Sequence, residues 1–404
     1  MSAGQAENSA SRARSREPGA RRGGKLVGVA LALGTILVAF AAAEVGLRLA
    51  GFDPIGKMTS KLDQRFIIQE SEDPVLVYEF APGTTGDLWG SRVEINADGL
   101  RDRDLPAEKP SGTTRVLAVG DSVTFGVEMD QGERWSERLE QTWRDWGLDV
   151  EVLNLGVPGY DTAQEVRFIE RKGLKYEPDQ VVLCFCVNDL ETVSFDFEAV
   201  VALKRFRSGL LSWSRVAQWA TQRLDKIRQA ESASTIRDRE RIRAAAADIT
   251  PDPELDALVQ ELRDAIARAG DVGPERKADP DWFRRDKFRT RLLLYTEPGR
   301  LQLVRDAFEK LAALAGEHGF GVTVFVAPFL YEDFDKEGLH ASYAIVRHLA
   351  ESAGFDFVDV YPTVSEADLS SLKTKNPNDY VHLNAQGHRL MARALLAATR
   401  DWFQ

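Results

Sequence analysis

The hydrophobic residues of this chain follow two spacings along the sequence. Short apolar runs predict strands that are buried on both faces. They lie at 115–119, 150–154, 181–186, 322–327 and 356–360. Between these runs, apolar residues recur at intervals of three and four, as at Trp135, Leu139 and Trp143, and predict helices. Because strands alternate with helices, the pattern indicates an α/β fold with a parallel sheet covered on both faces.

The N-terminal region has a different pattern. Residues 1–25 are polar and rich in arginine, which is typical of a disordered basic tail. Leu26–Ala43 carries no charge and would span about 27 Å as a helix, so residues 26–49 are predicted to form a transmembrane anchor. The basic flank places the N-terminus in the cytoplasm and everything after Glu44 outside. A cleaved signal peptide is the alternative, because Ala41–Ala43 resembles a cleavage site.

The outer part of the chain divides into an extension and a large domain. Residues 51–113 form the predicted extension, with short strands at 75–80 and 92–96. Residues 114–404 form the α/β domain, interrupted at about 195–290 by a mostly helical insertion. The charged stretch from Ile236 to Ala269 is expected to be a solvated helical hairpin. The insertion is either a lid beside the polar residues that follow the third strand of the α/β domain or a peripheral decoration. The sequence leaves both possibilities open.

Composition narrows the classes of partner and cofactor. The net charge of −11 becomes more negative without the basic tail, which argues against nucleic acid as a partner. The two cysteines, Cys184 and Cys186, point to one face of a strand and are expected to be buried thiols. The sequence has no metal-ligand spacing and no phosphate-binding glycine loop, so no metal and no cofactor is expected.

Four polar blocks lie where strands end. The first is Gly120-Asp121-Ser122, after the first strand, where a serine hydroxyl projects from the sheet edge. The second runs from Asn154 to Gly159, and the third ends at Asn188. The last, 379–384, places an aspartate and a histidine three residues apart before a helix over 385–399. Such groups suit nucleophilic catalysis with an oxyanion hole.

These four blocks resemble those of the SGNH (GDSL-type) hydrolases in type and order. The resemblance covers roughly residues 115–400, apart from the insertion, and implies a flavodoxin-like three-layer fold. It makes Ser122 the nucleophile, His382 the base and Asp379 the group that orients the imidazole. It assigns the oxyanion hole to the Ser122 amide, the Gly159 amide and the Asn188 side chain.

The sequence departs from the family pattern at two positions. Cys186 stands where the third block usually has glycine, and Leu383 stands where proline usually follows the histidine. Gly159 is preferred to Gly156 as the second oxyanion donor because its distance from Asn154 matches the family spacing. The other histidines, at 318, 340, 348 and 388, are expected at the surface.

The anchor and the family resemblance together predict a single-pass protein of the inner or plasma membrane. Its serine esterase domain would be extracytoplasmic (periplasmic). Its substrates would be acyl or acetyl esters of carbohydrates or lipids. Two alternatives remain: an O-acyltransferase acting on a cell-envelope polysaccharide, and a non-catalytic envelope binding module. The sequence does not decide the oligomeric state.

Overall fold

The computed structural model describes residues 20–52, 67–88, 91–191, 213–220, 233–268, 289–330, 336–376 and 379–403. The chain divides into two compact units. The first comprises Met1–Lys57 with Gly209–Lys226, and the second comprises Met58–Ser208 with Ile227–Gln404.

The strands and helices follow the predicted alternation. The strands are β1 (Ile68–Glu70), β2 (Tyr78–Phe80), β3 (Thr85–Leu88), β4 (Ser91–Glu94), β5 (Thr114–Gly120), β6 (Val150–Gly156), β7 (Gln180–Phe185), β8 (Gly321–Val326) and β9 (Asp356–Val358). The helices are α1 (Ala20–Leu49), α2 (Ser122–Phe125), α3 (Trp135–Asp145), α4 (Thr162–Phe168), α5 (Ala233–Ala247), α6 (Pro253–Arg268), α7 (Pro298–His318), α8 (Lys336–Ser352), α9 (Tyr361–Val364) and α10 (Ala385–Ala398).

A five-stranded parallel sheet forms the centre of the second unit. Its strand order is β6-β5-β7-β8-β9, so the chain starts inside the sheet and reverses direction between β6 and β7. Val119 pairs with Leu155 on one side and with Leu183 on the other, which aligns the carboxyl ends of β5, β6 and β7. An open sheet of this order binds ligands where the direction reverses. The predicted flavodoxin-like fold is confirmed.

Side chains alternate between two buried layers along each strand. Leu117 and Val119 of β5 enter the layer that also holds residues of α4, α6, α7 and α8. Val116 and Ala118 enter the opposite layer, with the buried Trp135 of α3 and residues of α10. Helices therefore cover both faces, which is why the strands of the sheet are mostly apolar.

The extension contains two hairpins, where the sequence predicted two longer strands. β1 pairs with β2 and β3 pairs with β4, in each case antiparallel. Only the last three residues of the predicted 75–80 strand are extended, because Val77 adopts a positive φ of 63°. The bounds of the extension and of the large domain remain predictions.

The described helices of the insertion pack on helices of the α/β domain, so the predicted helical character of this stretch is confirmed and its predicted solvation is wrong. α6 buries Val259, Leu262 and Ile266 in the core layer that also holds residues of α8. α5 lies against α7 so closely that a Cβ at Gly299 would stand 2.5 Å from the carbonyl oxygen of Ile242. The charged residues of this stretch obscure apolar positions spaced by three and four.

The first unit contains α1 and a short helix over residues 215–220. Within α1, Val27–Leu49 is long and apolar enough to cross a membrane. The helix begins at Ala20, six residues before the predicted start. The basic residues that precede Leu26 are therefore part of the helix. The predicted disordered tail falls largely outside the described residues. So do residues 195–212, 221–232 and 269–288 of the predicted insertion.

Candidate active site

Ser122 lies at the first position of α2, directly after β5. Gly120 permits this turn: its φ is +153°, and an added Cβ would stand 2.3 Å from the Thr124 hydroxyl. Asp121 is the N-cap residue, and its Oδ1 accepts a hydrogen bond of 2.9 Å from the Val123 amide. The turn thus places the Ser122 hydroxyl at the carboxyl edge of the sheet and its amide in the first turn of a helix, where amides have no intrahelical partner.

The histidine and aspartate predicted from the last block lie beside this serine. His382 Nε2 is 2.8 Å from Ser122 Oγ, and His382 Nδ1 is 2.6 Å from Asp379 Oδ2. The carboxylate can only accept, so Nδ1 carries the proton and Nε2 is left as an acceptor facing the hydroxyl. Asp379 Oδ1 also accepts from the amides of Val381 and His382, at 3.0 Å each. The loop therefore fixes the carboxylate before the imidazole binds it.

The electrostatics of the pair favour a charged imidazole. Burial works to lower the pKa of His382, but the hydrogen bond and charge of Asp379 outweigh it and raise that pKa above its ordinary value. Burial raises the pKa of Asp379, and the bonds from the His382 ring and the loop amides more than reverse this, so its pKa is lowered. Such a pair stabilises an imidazolium that forms during a proton transfer.

The predicted oxyanion-hole residues lie in loops that follow β6 and β7. Gly159 has a φ of +83°, a conformation that favours glycine. The side-chain amide of Asn188 donates a 2.8 Å hydrogen bond to Asp121 Oδ2. An asparagine amide has two N–H groups, so one holds the side chain in place and the other is left for a substrate oxygen.

Asp121 is a site residue whose role the sequence did not reveal. Its buried carboxylate accepts from Asn188 and from the Val123 amide, and its Oδ2 lies 3.0 Å from Ser122 Oγ as an alternative acceptor to His382 Nε2 for the one hydroxyl proton. In the sequence it stands out only as a member of the first polar block. An acidic side chain directly before a strand-end serine was the available signal.

The extension stabilises the segment that follows the nucleophile turn. The buried Arg101 donates to the carbonyls of Phe125 and Gly126, at 2.8 Å each. Asp102 accepts a 2.7 Å bond from the amide of Asn154, whose side chain in turn donates to the Thr124 carbonyl at 2.7 Å. Arg101 and Asp102 thus bind the extension to the backbone that follows Ser122 and to β6.

His388 contradicts the prediction that it lies at the surface. Only 1% of it is exposed, and its Nδ1 accepts a 3.2 Å bond from the Trp135 amide. Burial, with the charges of Arg134, His382 and Arg101, lowers its pKa to about 3. It lies on the face of α10 that packs against α3, an orientation that the helical spacing from Met391 indicates.

The two cysteines are free and buried, as the strand spacing predicted. Cys186 occupies the position where the family has glycine, and its side chain enters the core layer with Cys184 and Leu383. Within the described residues, no group of three or more His, Cys, Asp or Glu side chains is placed to hold a metal ion.

Solved structures with a similar chain trace include several esterases. LAE5, an α/β hydrolase from the metagenome of Lake Arreo, is 15% identical, with a TM-score of 0.38 over 71% of this chain and 95% of its own. EstA, a psychrotrophic esterase from Pseudoalteromonas, is 9% identical, with a TM-score of 0.38 over 72% and 98%. Axe2, an acetylxylan esterase from Geobacillus stearothermophilus, is 14% identical, with a TM-score of 0.35 over 70% and 93%. No curated protein matches the chain significantly.

A comparison with protein-family models gives stronger evidence of the family than the solved structures do. The model described as the GDSL-like lipase/acylhydrolase family matches residues 118–390, about two thirds of the sequence. The matched region contains all four polar blocks and the five-stranded sheet from within β5 onward. The chain belongs to the GDSL-like lipase/acylhydrolase family and is an ester-acting hydrolase.

Proposed function

We propose that the protein is a membrane-anchored serine esterase that acts outside the cytoplasm through an acyl-enzyme on Ser122. The observation that carries this proposal is the 2.8 Å distance between Ser122 Oγ and His382 Nε2, with Asp379 bound to the opposite ring nitrogen. A nucleophile, a base and a group that orients the base are the requirements for this chemistry.

The proposed reaction has two halves. His382 Nε2 takes the hydroxyl proton as Ser122 Oγ attacks the acyl carbon, and Asp379 stabilises the imidazolium. The bond to the leaving oxygen then breaks, and the imidazolium gives its proton to that alcohol. In the second half, His382 takes a proton from water, the hydroxide attacks the acyl carbon, and Ser122 leaves with the proton returned by His382.

The negative oxygen formed in each half would be bound by three donors. These are the amides of Ser122 and Gly159 and the second N–H of the Asn188 side chain. Loss of one such donor typically costs about 10²–10³ in rate. The Asn188 bond to Asp121 supports this role because it leaves the amide already oriented before substrate arrives.

The anchor in this proposal is α1, retained after synthesis. Glu44, within the segment that could span a membrane, accepts hydrogen bonds from residues 214–216 of the same unit. A cleaved signal peptide would take these contacts away, so they favour an uncut anchor over the alternative. The N-terminus would then be cytoplasmic, and residues 114–404 would form the catalytic domain outside.

A panel of esters tests the substrate class. The full chain in detergent is assayed on acyl esters of increasing chain length and on acetylated sugars, beside Ser122→Ala as the matched inactive control. We expect turnover of at least one ester that Ser122→Ala abolishes. Turnover by Ser122→Ala at the wild-type rate would place the nucleophile elsewhere.

Acceptor competition distinguishes hydrolysis from acyl transfer, which uses the same three side chains. In an esterase, added sugar acceptor leaves the yield of free acid unchanged. If the acceptor diverts most of the acyl groups from water, the protein is an O-acyltransferase and the proposal of an esterase is wrong.

A further inference from the structure

The outer end of α1 binds part of the insertion through one carboxylate. Glu44 is only 6% exposed, although it lies in an apolar helix. Its oxygens accept from the Ser214 hydroxyl at 3.0 Å and from the amides of Arg215 and Val216 at 2.8 and 3.0 Å. The carboxylate therefore serves as the N-terminal cap of the short helix over residues 215–220.

Arg48 adds a second connection between the same two segments. Its guanidinium lies 2.9 Å from Glu44 Oε1 and donates a 3.2 Å hydrogen bond to the Trp213 carbonyl. Charge on Glu44 is thus balanced locally by a cation one helical turn further along. This polar cluster binds residues 213–216 to the last turns of α1.

The position of this cluster along α1 corresponds to a membrane boundary. Glu44 lies 17 residues after Val27, the start of the candidate span, which is about 26 Å along a helix. The hydrocarbon core of a bilayer is about 30 Å thick. If the basic side of α1 is cytoplasmic, Glu44 and Arg48 lie at the outer lipid–water interface, where charged groups meet headgroups.

Two tryptophans of the bound segment present large exposed rings at this level. Trp213 is 61% exposed and Trp219 is 43% exposed. Tryptophan is enriched at lipid–water interfaces, because its ring is largely apolar and its N–H remains hydrated or hydrogen-bonded. Between them, the side chains of Ser214 and Gln218 are buried, so these two polar residues face the protein.

We propose that residues 213–220 form an interfacial segment, whose partner is the lipid headgroup layer of the outer leaflet and whose Trp213 and Trp219 rings insert there. This inference rests on the membrane anchor of the proposed function. The insertion that leaves the sheet after Asn188 and Asp189 would then be attached to the membrane surface at a second point besides α1 itself.

Quenching by brominated lipid tests the proposal on the full chain. The protein is reconstituted in phosphatidylcholine vesicles brominated near the headgroup end of one acyl chain, and its tryptophan fluorescence is compared with that in unbrominated vesicles. The test variant is Trp213→Phe with Trp219→Phe, which keeps apolar rings. The control is Trp146→Phe, since Trp146 is 52% exposed and belongs to the other unit.

We expect the double variant to lose most of the bromine-dependent quenching and Trp146→Phe to retain it. Hydrolysis of a water-soluble ester should be unchanged in both variants, which verifies that they fold. Undiminished quenching in the double variant, or an equal loss in Trp146→Phe, overturns the proposal.

Alkaline carbonate extraction of the same vesicles separates this inference from the anchor. If the protein stays in the membrane but bromine does not quench the fluorescence of Trp213 and Trp219, the interfacial segment alone is refuted. Protein that carbonate removes refutes the anchor, and the interfacial segment with it. Neither result bears on the chemistry of Ser122.

Discussion

At the scale of single residues, Asp121 connects Ser122, the proposed nucleophile, to Asn188, a proposed oxyanion donor. One carboxylate oxygen accepts from the Asn188 amide and lies 3.0 Å from the Ser122 hydroxyl oxygen, and the other caps the helix that begins at Ser122. Asp121→Ala should lower kcat by about 10²-fold, the scale of losing one oxyanion donor. It should also cost about 0.5–2 kcal/mol of unfolding free energy through the lost cap.

Asp121→Asn is the matched control, because its single amide oxygen can still accept from the Val123 amide, while the NH2 group in the other position cannot accept from Asn188. We expect most of the stability to remain and kcat to fall nearly as far as in Asp121→Ala. Steady-state kinetics and thermal unfolding of the two variants measure both effects. Equal kcat in Asp121→Ala and the wild type would show that Asn188 needs no such support.

The pH dependence of the rate reports on His382. The imidazole must be neutral to take the Ser122 proton, so kcat/KM should rise with pH through the raised pKa of His382, with a midpoint above the ordinary value of 6.5. Asp379→Asn removes the group that raises this pKa. The midpoint should move to lower pH while kcat falls by up to about 10⁴-fold.

Residual activity should nevertheless be greater in Asp379→Asn than in His382→Ala, which lacks the base. Rates measured from pH 4 to 9 on a neutral ester distinguish the variants. If the midpoint of the pH profile does not move in Asp379→Asn, a group other than His382 determines the pH at which kcat/KM rises.

His388 makes the fold sensitive to acid through its lowered pKa. Between about pH 6.5 and pH 3, the unfolded chain binds a proton at this histidine that the folded chain does not. Unfolding free energy should therefore fall as pH falls across this range, by at most about 1.4 kcal/mol per pH unit. In His388→Gln the slope from this group disappears. Urea unfolding of both proteins at a series of pH values measures the difference, and equal slopes would contradict the assignment.

At the scale of elements, α5 connects the insertion to the loop of the second polar block. Arg241 Nη1 lies 3.5 Å from Asp161 Oδ2, two residues after Gly159. A partly exposed pair of this kind contributes only about 0–1 kcal/mol to stability. If the insertion shapes the site, Arg241→Ala should lower kcat/KM several-fold and shift acyl-chain preference, with little change in thermal unfolding.

Arg243→Ala is the control on the same helix, since Arg243 is exposed. We expect it to leave both kcat/KM and ester preference unchanged. If Arg241→Ala behaves in the same way, α5 is a peripheral decoration. These point variants are preferable to deletion of the insertion, because Leu262 and Ile266 belong to the core.

The helices and strands also show how much of the fold could be predicted from the sequence. The five strands of the sheet were predicted to within two residues at either end because mostly apolar runs mark them. Helical spacing predicted α3, and α10 was predicted over 385–399. The packing of α6 was missed because Val259, Leu262 and Ile266 are separated by charged residues. Asp121 and His388 were missed because hydrogen-bond partners distant in sequence determine their environment.

At the scale of the whole molecule, one unit contains the apolar helix and the other contains the sheet and the candidate triad. The three triad residues come from positions up to 260 apart in sequence, and the strand order brings them to one edge of the sheet. Family membership establishes an ester-acting hydrolase. The natural acyl group and its carrier depend on the walls of the cleft, which the four blocks do not encode.

Labelling by a fluorophosphonate tests the central claim most directly. The reagent forms a covalent bond with a serine only where a base and an oxyanion hole activate it, and peptide mass mapping locates the adduct. We predict a single adduct on Ser122, absent in Ser122→Ala and formed much more slowly in His382→Ala. An adduct on a different serine, or none in the folded wild-type protein, would contradict the account.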